Sequence, residues 1–141
     1  MWYNIFMEAV LRSPLHGLLS KNFMLVTYTG RKSGKSYSLP VNYYRMADSL
    51  LVTSLRSRTW WRSLRNGAPV TLILQGKPTS AIGEAVEAED QVTAALDEFF
   101  CLYPTMTRFF EVRMTGDQRP EPEDLAAAAR SHLIVRFKLS E

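Results

Sequence analysis

Cysteine is almost absent from this 141-residue chain, which contains only Cys101. An internal disulfide is therefore excluded, and such a composition is typical of a reducing compartment. No apolar run approaches the roughly 20 residues that a membrane-spanning helix needs. Residues Met1 to Leu19 carry Glu8 and lack both a basic leader and a small-residue cleavage site, so they do not predict a secretory signal. We therefore expect a cytoplasmic protein.

Residues that supply metal ligands or acid–base catalysts are also scarce. The only two histidines, His16 and His132, have no second ligand at metal spacing, so nothing supports a metal site. No G-x-S-x-G motif and no close carboxylate pair is present. The neighbours of Cys101 are apolar, which predicts a packed thiol and not a nucleophile. A chain without a catalytic residue of its own is typical of a protein whose cofactor does the chemistry.

Acidic residues are nearly missing from the first half of the chain. Met1 to Lys77 holds eleven Lys/Arg and two acids, a net charge of +9, whereas Pro78 to Glu141 has a net charge of −6. A basic half predicts an anionic partner: nucleic acid, an anionic lipid surface or a phosphorylated cofactor. The length fits one domain with one core, so we expect a single domain over residues 1–141.

The most informative stretch is the run Gly30-Arg31-Lys32-Ser33-Gly34-Lys35-Ser36 between two predicted strands. Glycines let a backbone turn with positive φ and bring its N–H groups close to a ligand. The cations and the Ser33 hydroxyl supply the charge and the donors that an anion requires. The run therefore indicates either a phosphate or carboxylate site at a strand–turn–strand corner, or a solvated, charged hairpin tip.

Hydrophobic alternation predicts a mainly β protein with flanking helices. Residues 1–20 form a predicted N-terminal helical segment, aromatic-rich, which either packs across a barrel end or contacts a membrane surface. Pro40 places the second predicted strand at an edge or a bulge, because proline cannot donate to the ladder. Six strands are predicted, at Phe23–Thr29, Tyr37–Tyr44, Leu50–Leu55, Val70–Gln75, Thr79–Glu87 and His132–Leu139.

Four helices are predicted between and after these strands. The first is a short helix over Arg58–Arg65, and the second is a longer amphipathic helix with Asp90 as its N-cap. The third is a short helix that includes Phe109 and Phe110, and the fourth covers Glu123–Arg130. Small residues at 81, 83 and 85 share one strand face and leave room for a helix or a flat ligand. Consecutive strands with short turns favour antiparallel pairing, and six of them favour a barrel over residues 23–139 with inserted helices.

Three motifs occur in a characteristic order and spacing: T-G-R-K-S-G-K at Thr29–Lys35, L-P-V-N-Y at Leu39–Tyr43, and R-T-W-W-R-S-L-R-N-G-A-P-V at Arg58–Val70. In these motifs the chain resembles the deazaflavin-dependent nitroreductase family, a group of flavin and deazaflavin oxidoreductases related to flavin reductases and pyridoxamine-phosphate-oxidase-like proteins. The likeness runs from about Phe23 to Glu87, and more faintly from Glu123 to Leu139. It implies a six-stranded antiparallel split β-barrel.

The resemblance also implies a groove that holds the deazaflavin coenzyme F420, or FMN in some relatives. The turn would meet the phosphate and the acidic tail, the second strand would line the groove, the third strand would lie near the ring system, and the tryptophan segment would close one wall. The residues implied are Arg31, Lys32, Ser33, Gly34, Lys35, Pro40, Asn42, Thr53, Ser54, Trp60, Trp61 and Arg62. Residue patterns alone leave Trp60 and Trp61 open as core residues.

One position departs from the family pattern. Many members follow the second glycine of the turn with an arginine three residues on, where this chain has Tyr37. The loss of one charged hydrogen bond costs about 1.5–3 kcal/mol, or roughly ten- to a hundredfold in affinity. The choice between F420 and FMN is therefore less secure than the fold.

Two functions follow from the sequence. The first is hydride transfer from a reduced cofactor to an electron-poor small molecule, such as a quinone, an enone or a nitro compound, by a monomer or a homodimer. The alternative is a non-catalytic binder or carrier of a flavin, a deazaflavin, a tetrapyrrole or a fatty acid. Nucleic acid is not an expected partner, because no recognised binding motif is present and the second half is acidic.

Overall fold

A computed structural model describes residues 23–74 and 76–139 of the chain. The predicted N-terminal helical segment, and with it the expected membrane contact, lies outside these described residues. Within them, no helix combines the length and the apolar character needed to cross a membrane. The same residues contain no group of three His, Cys, Asp or Glu side chains placed to hold a metal ion.

Among the described residues, seven strands form one sheet in the order β2-β1-β5-β6-β7-β4-β3. Neighbouring strands pair antiparallel at β1–β2, β1–β5, β5–β6 and β3–β4. This arrangement, with its helices, is consistent with the predicted split barrel. The strands are β1 Phe23–Thr29, β2 Ser36–Asn42, β3 Tyr44–Met46, β4 Ser49–Leu55, β5 Ala68–Leu74, β6 Lys77–Val86 and β7 His132–Leu139.

The count of six strands was wrong, because the predicted second strand breaks at Tyr43. Its first part lies in β2, which pairs with β1, whereas its last residue, Tyr44, begins β3, which pairs with β4. Tyr43 lies between the two ladders and is 4% exposed. A bend leaves alternation of apolar residues intact, so the sequence pattern does not reveal it. Pro40 lies on β2, an end strand of the sheet, which confirms its predicted edge position.

Two α-helices and two 3₁₀ segments complete the described chain: α1 Glu89–Leu102, α2 Pro122–Ser131, and the 3₁₀ segments Trp60–Leu64 and Pro104–Phe110. The prediction of Asp90 as the N-cap of α1 was wrong. Ala88 occupies the N-cap and provides no side-chain hydrogen bond. Asp90 lies in the first turn instead, where a carboxylate still interacts favourably with the helix dipole.

The described chain divides into two compact units. The first unit comprises residues 23–52, 60–74, 76–85 and 135–139, and the second comprises Thr53–Thr59 and Val86–Ile134. In the first unit, Leu25 and Leu72 are fully buried. In the second, α1 packs against α2, and the ring of Phe100 lies 5.3 Å from that of Phe110. Whether the whole chain folds as a single domain stays a prediction.

Side chains of the first unit cover the strand face at Gly83, within the row of small residues at positions 81, 83 and 85. A Cβ atom at Gly83 would lie 2.7 Å from Cε1 of Phe137 and 3.3 Å from Cδ1 of Leu64. Real Cβ atoms do not approach a neighbour that closely, so glycine is required there by the ring of Phe137. The room that the sequence indicates is therefore occupied by β7 and a 3₁₀ segment, and a flat ligand does not fit at Gly83.

Cys101 is exposed on α1, so the prediction of a packed thiol was wrong. The buried side of α1 consists of Val92, Ala95, Leu96, Phe99 and Phe100. Cys101 follows these residues but falls on the opposite side of the helix, because each residue turns about 100° from the last. Apolar neighbours in sequence therefore do not imply burial of the thiol.

Candidate functional site: a basic turn beside aromatic rings

The glycine-rich turn joins β1 to β2 through residues 30–35. Gly34 has φ +70°, a conformation that glycine adopts without strain. The backbone N–H of Gly34 donates to the carbonyl oxygen of Gly30 at 2.9 Å. The backbone N–H of Gly30 donates to the carbonyl oxygen of Lys35 at 2.8 Å. These bonds close the turn on itself and leave the N–H groups of residues 31–33 without a backbone partner among the described residues.

Ser33 is engaged inside the turn. Its hydroxyl oxygen accepts a hydrogen bond from the Lys35 backbone N–H at 3.2 Å and lies 3.1 Å from the phenol oxygen of Tyr37. A Cβ atom at Gly30 would lie 2.8 Å from Cε2 of Tyr37. The first glycine of the motif is therefore required by the close approach of the tyrosine ring. This contact could not be predicted from the motif alone.

The cations of the turn face solvent, with no acid nearby in the sequence. Arg31, Lys32 and Lys35 are exposed, and the Arg31 guanidinium donates to the backbone carbonyl oxygen of Arg65. Between residues 23 and 83 the only acidic residue is Asp48. The Arg31 bond links the turn to the chain just beyond the first 3₁₀ segment, which carries Arg62. Four predicted site cations thus belong to one unit with little opposing charge.

Aromatic rings lie beside the turn. The rings of Tyr28 and Tyr37 stack with centroids 5.7 Å apart at 27°, and Trp60 approaches Tyr28 at 6.3 Å. Tyr37 is 42% exposed, so this cluster of Tyr28, Tyr37 and Trp60, the aromatic cluster, reaches the surface. Burial, and next the neighbouring Tyr37, raise the pKa of Tyr28 above its ordinary value. The Tyr28 phenol therefore stays protonated at neutral pH and remains a donor.

Trp61 is buried, with 4% of the residue exposed, which agrees with the core interpretation. The guanidinium carbons of Arg65 and Arg62 lie 5.0 and 5.7 Å from the centroid of its ring, within range for cation–π attraction. Its Nε1 is buried and has no hydrogen-bond partner among the described residues. A buried donor without a partner costs about 1–3 kcal/mol, so a ligand or a water that accepts from it would be favoured.

The remaining predicted site residues are Pro40, Asn42, Thr53 and Ser54. Pro40 is paired with Leu25 and Asn42 with Phe23, so their side chains alternate with Tyr37 and lie on the opposite face of the β1–β2 pair. Asn42 ends β2, about 20 Å along the strand from the turn. Thr53 and Ser54 belong to the second unit, where Ser54 is buried and donates to the carbonyl oxygen of Leu55 at 3.2 Å. Their cofactor-binding roles stay predictions.

Sequence reasoning missed a row of hydroxyl groups that crosses four strands. Directly opposed residues share a face, and the pairs Ser38–Thr27, Thr27–Thr71 and Thr71–Ser80 form one line. The hydroxyl oxygens of Thr27 and Ser38 lie 3.0 Å apart. Thr27, Thr71 and Ser80 line a cavity of ≈ 330 Å³ that also reaches Thr29 and Ser36, at the two ends of the turn. Strand register, which the sequence does not fix, was needed to find this row.

Comparison with known proteins supports the fold. No family model and no curated protein matches the chain. Solved structures that match include a candidate 5-nitroimidazole antibiotic resistance protein from Bacteroides thetaiotaomicron (17% identity, 89% of this chain and 78% of that chain, TM-score 0.53). A candidate pyridoxamine 5'-phosphate oxidase from Listeria innocua matches at 12% identity over 99% and 94% of the chains, TM-score 0.51.

A third match is the FAD and heme binding protein from Mycobacterium smegmatis, at 18% identity over 92% of this chain and 72% of that chain, TM-score 0.50. At such identities the likeness concerns the fold. It supports the split-barrel fold that the resemblance implies. Membership of the deazaflavin-dependent nitroreductase family stays a prediction.

Proposed function

We propose that the protein is a flavin- or deazaflavin-dependent oxidoreductase that reduces an electron-poor organic molecule. The observation that carries this proposal is the combination of an exposed, basic turn with an adjacent aromatic cluster in one compact unit. A phosphorylated redox cofactor has the same two parts, an anionic end and a planar ring. Among the split-barrel structures that match, one is named as binding FAD and heme, and one as a candidate nitroimidazole resistance protein.

The residues present fit the anionic end of such a cofactor. Arg31, Lys32 and Lys35 supply positive charge, and the N–H groups of residues 31–33 have no backbone partner among the described residues. Charge-assisted hydrogen bonds from such groups are the strong ones in proteins. The closed turn holds the donors in place before the ligand arrives, which lowers the entropic cost of binding. We therefore assign the phosphate or acidic tail to this turn.

The aromatic side chains suit a planar group. Tyr37 exposes 42% of its residue surface beside the turn, and Trp60 lies against Tyr28. The buried Nε1 of Trp61 offers an unused donor. When bound, a reduced flavin or deazaflavin supplies a hydride for an electron-poor acceptor. The residues of this chain would bind and orient the two molecules and exclude water, and proximity of that kind provides much of the rate in such reactions.

F420 is the cofactor that the motifs favour, and FMN is the alternative. The two differ in the acidic tail, which F420 extends well beyond its phosphate. Tyr37 replaces the arginine found in many members of the family, so the turn has one positive charge fewer for that tail. Tyr37 also contacts the Ser33 hydroxyl, which is then less available to the tail as a donor. A side-by-side titration with both cofactors, followed by the quenching of tryptophan fluorescence, decides between them.

The proposal is tested by neutralising Arg31, Lys32 and Lys35 together to glutamine. We expect affinity for both cofactors to fall by roughly tenfold or more, because each lost charged hydrogen bond is worth about 1.5–3 kcal/mol. The matched control replaces the exposed cations Arg108, Arg119 and Arg130 by glutamine, with the same change in net charge. Unchanged binding in the turn variant would contradict the proposal, as would equal losses in both variants.

A non-catalytic binder is the second candidate, and the Ser33–Tyr37 contact favours it. A turn that satisfies its own serine binds an acidic tail more weakly than the family pattern requires. Reduced cofactor mixed with a panel of quinones, enones and nitro compounds separates the two functions. Oxidation above the buffer rate supports the enzyme, whereas tight binding of flavin or heme without turnover supports the carrier.

A further inference from the structure

A groove that carries no predicted cofactor residue lies in the first unit. Its cavity measures ≈ 540 Å³, a size common among small-molecule sites, and its lining includes Asp48, Ile82, Glu84, Arg136, Lys138 and Leu139. Two carboxylates and two cations thus share one recess, which we name the mixed-charge groove. None of these four charged side chains forms an ion pair or a hydrogen bond with another described residue.

The cations of the groove lie on its middle strand, and a carboxylate lies on either side of them. Arg136 and Lys138 are two residues apart on β7 and therefore share one face. In the sheet, β7 lies between β6, which carries Glu84, and β4, which Asp48 directly precedes. Neighbouring strands lie about 4.8 Å apart, so a molecule held on the cations of β7 has a carboxylate within reach on each side.

Apolar side chains lie among these charges. Ile82 is 47% exposed and shares a face of β6 with Glu84, two residues along. Leu139, the last residue of β7, is partly exposed and lines the same cavity. A ligand that covered Ile82 and Leu139 would gain from the burial of apolar surface. The groove therefore offers positive charge, negative charge and apolar contact within one recess.

A tight hairpin tip presents one of the carboxylates. Met46 pairs with Ser49, so Ala47 and Asp48 alone form the turn between β3 and β4. Ala47 has φ +52°, a left-handed conformation that is uncommon for a residue with a Cβ atom. Such turns usually place Asn, Asp or Gly at a position of this kind. The two-residue turn fixes the backbone at Asp48, which is exposed at the rim of the groove.

We propose that the mixed-charge groove binds a zwitterion with an aliphatic side chain, either a free amino acid or a short peptide. The carboxylate of the ligand would bind Arg136 and Lys138, and its ammonium group would bind Glu84 or Asp48. Its side chain would pack against Ile82. Arginine suits the first role because its guanidinium can donate two parallel hydrogen bonds to one carboxylate.

Each simpler class of ligand leaves part of the groove unsatisfied. The carboxylates of the groove repel a simple anion, and its guanidinium and ammonium groups repel a simple cation. An apolar molecule would take four charges out of water without giving them partners, at a high cost in free energy. Because the opposite charges of the groove do not pair with each other, a zwitterion contacts both signs without breaking an existing ion pair.

The first test titrates the protein with L-leucine and with leucyl-leucine in a calorimeter, and the tighter ligand identifies the source as amino acid or peptide. Isocaproate keeps the side chain and the carboxylate of leucine without its ammonium group, and isoamylamine keeps the side chain and the ammonium group without the carboxylate. We expect each of these to bind roughly tenfold more weakly than the zwitterion or worse, because each lacks one set of charged hydrogen bonds. Absence of saturable binding by both zwitterions, or equal binding of either single-charge analogue, would overturn the proposal.

The second test removes one sign of charge at a time, with little change in side-chain size. One variant combines Arg136→Gln with Lys138→Gln, and the other combines Asp48→Asn with Glu84→Gln. Both should weaken binding of the zwitterion by roughly tenfold or more. The first variant should bind isoamylamine no more weakly than the wild-type protein does, because the cations that repel the amine are gone. The second should behave in the same way toward isocaproate.

A matched control combines Arg108→Gln with Arg130→Gln. It makes the same change in net charge as the first variant, at exposed positions that do not line the groove. The control should keep the wild-type affinity for the zwitterion. Equal losses in the control, or an affinity that survives in both groove variants, would contradict the assignment. Circular dichroism confirms that each variant folds.

This inference goes beyond the proposed function and does not depend on it. The zwitterion titrations need no cofactor, and neutralisation of Arg31, Lys32 and Lys35 should leave them unchanged. Binding of flavin or deazaflavin without binding of a zwitterion would overturn only the proposal for the groove, and the reverse result would overturn only the proposal for the turn. The two proposals can therefore fail separately.

Discussion

The phenol oxygen of Tyr37 lies 3.1 Å from the hydroxyl oxygen of Ser33, across the turn that the motif predicts as an anion site. Tyr37 occupies the position where many members of the family that the chain resembles have an arginine. A side chain able to bind an anion is therefore replaced here by one that forms a contact within the turn. The same ring stacks on Tyr28 and requires a glycine at position 30. The substitution therefore orders the turn while it removes one charge from it.

Restoring the family residue should strengthen cofactor binding. We expect Tyr37→Arg to raise the affinity for F420 by roughly ten- to a hundredfold, because a charged hydrogen bond contributes about 1.5–3 kcal/mol. FMN, with a shorter anionic part, should gain less. Isothermal titration calorimetry with both cofactors provides the measurement.

The control for that change is Tyr37→Phe, which keeps the ring and removes only the hydroxyl. It should leave the stack on Tyr28 in place and free the Ser33 hydroxyl, so cofactor affinity should change far less than in the arginine variant. If phenylalanine and arginine raise the affinity equally, the gain comes from the freed serine. The missing cation would then not be the cause.

Gly83 is the position where an added methyl group should be most damaging. We expect Gly83→Ala to lower the free energy of unfolding by about 1–3 kcal/mol, because the Cβ atom must displace the Phe137 ring. Gly116 offers a matched control, since no atom lies within 4 Å of a Cβ built there. Urea denaturation of both variants makes the comparison. In the double variant with Phe137→Leu, part of the loss should be recovered, and a strictly additive result would contradict the contact.

Arg56 is predicted to stabilise the second unit through backbone carbonyls. Its guanidinium donates to the carbonyl oxygen of Glu87 at 2.7 Å and to that of Ala129 at 3.0 and 3.2 Å. Arg56→Gln should therefore lower the free energy of unfolding by about 1.5–3 kcal/mol. Arg58→Gln, two residues along and fully on the surface, should change it by less than about 0.5 kcal/mol. Equal effects of the two substitutions in thermal denaturation would count against this role.

His132 should make stability depend on pH. Burial lowers the pKa of its imidazole, the Ala128 carbonyl partly opposes this, and the Arg56 charge lowers it further. The unfolded chain therefore binds a proton at higher pH than the folded chain does. The free energy of unfolding should fall as pH decreases through the ordinary histidine range, near about 6.5, toward the lower folded value. Chemical denaturation between about pH 7.5 and 5 measures this fall.

The variant His132→Asn allows this effect to be assigned. Its stability should depend less on pH over that range than the stability of the wild-type protein does. The Asp124 carboxyl does not interfere, because its hydrogen bond with Arg113 holds its pKa below the usual range. A wild-type slope that survives in the His132 variant would show that another group titrates.

The strands could be predicted because each is a short run rich in β-branched, aromatic or aliphatic residues between turn residues. Burial itself does not alternate in all of them, since Met24, Leu25 and Val26 of β1 are all buried. The bend at Tyr43 could not be predicted, because a strand that changes partner keeps the same alternation. The predicted start of α1 was also wrong. Asp90 has the side chain of an N-cap, but the chain enters the helix two residues earlier, at Ala88.

Only the part of the candidate site that consists of consecutive residues could be predicted from the sequence. The composition of residues 30–36 specifies a tight, basic turn, and the structure contains one. The contacts of Arg31 with Arg65 and of Tyr28 with Trp60 join residues more than thirty positions apart. Such contacts depend on how the strands pack, so no local pattern reveals them. The same holds for the hydroxyl row, which exists only in one strand register.

The exposed thiol of Cys101 has a practical consequence. As the sole cysteine of the chain, it accepts a maleimide fluorophore at one defined position without any engineering. In air it can also join two molecules covalently, and that product would imitate a reversible complex in a sedimentation run. Work on self-association therefore needs a reducing agent or a Cys101→Ser background. Wild-type protein whose Cys101 thiol is capped by the fluorophore cannot form that disulfide, so it serves for equilibrium measurements at nanomolar dilution.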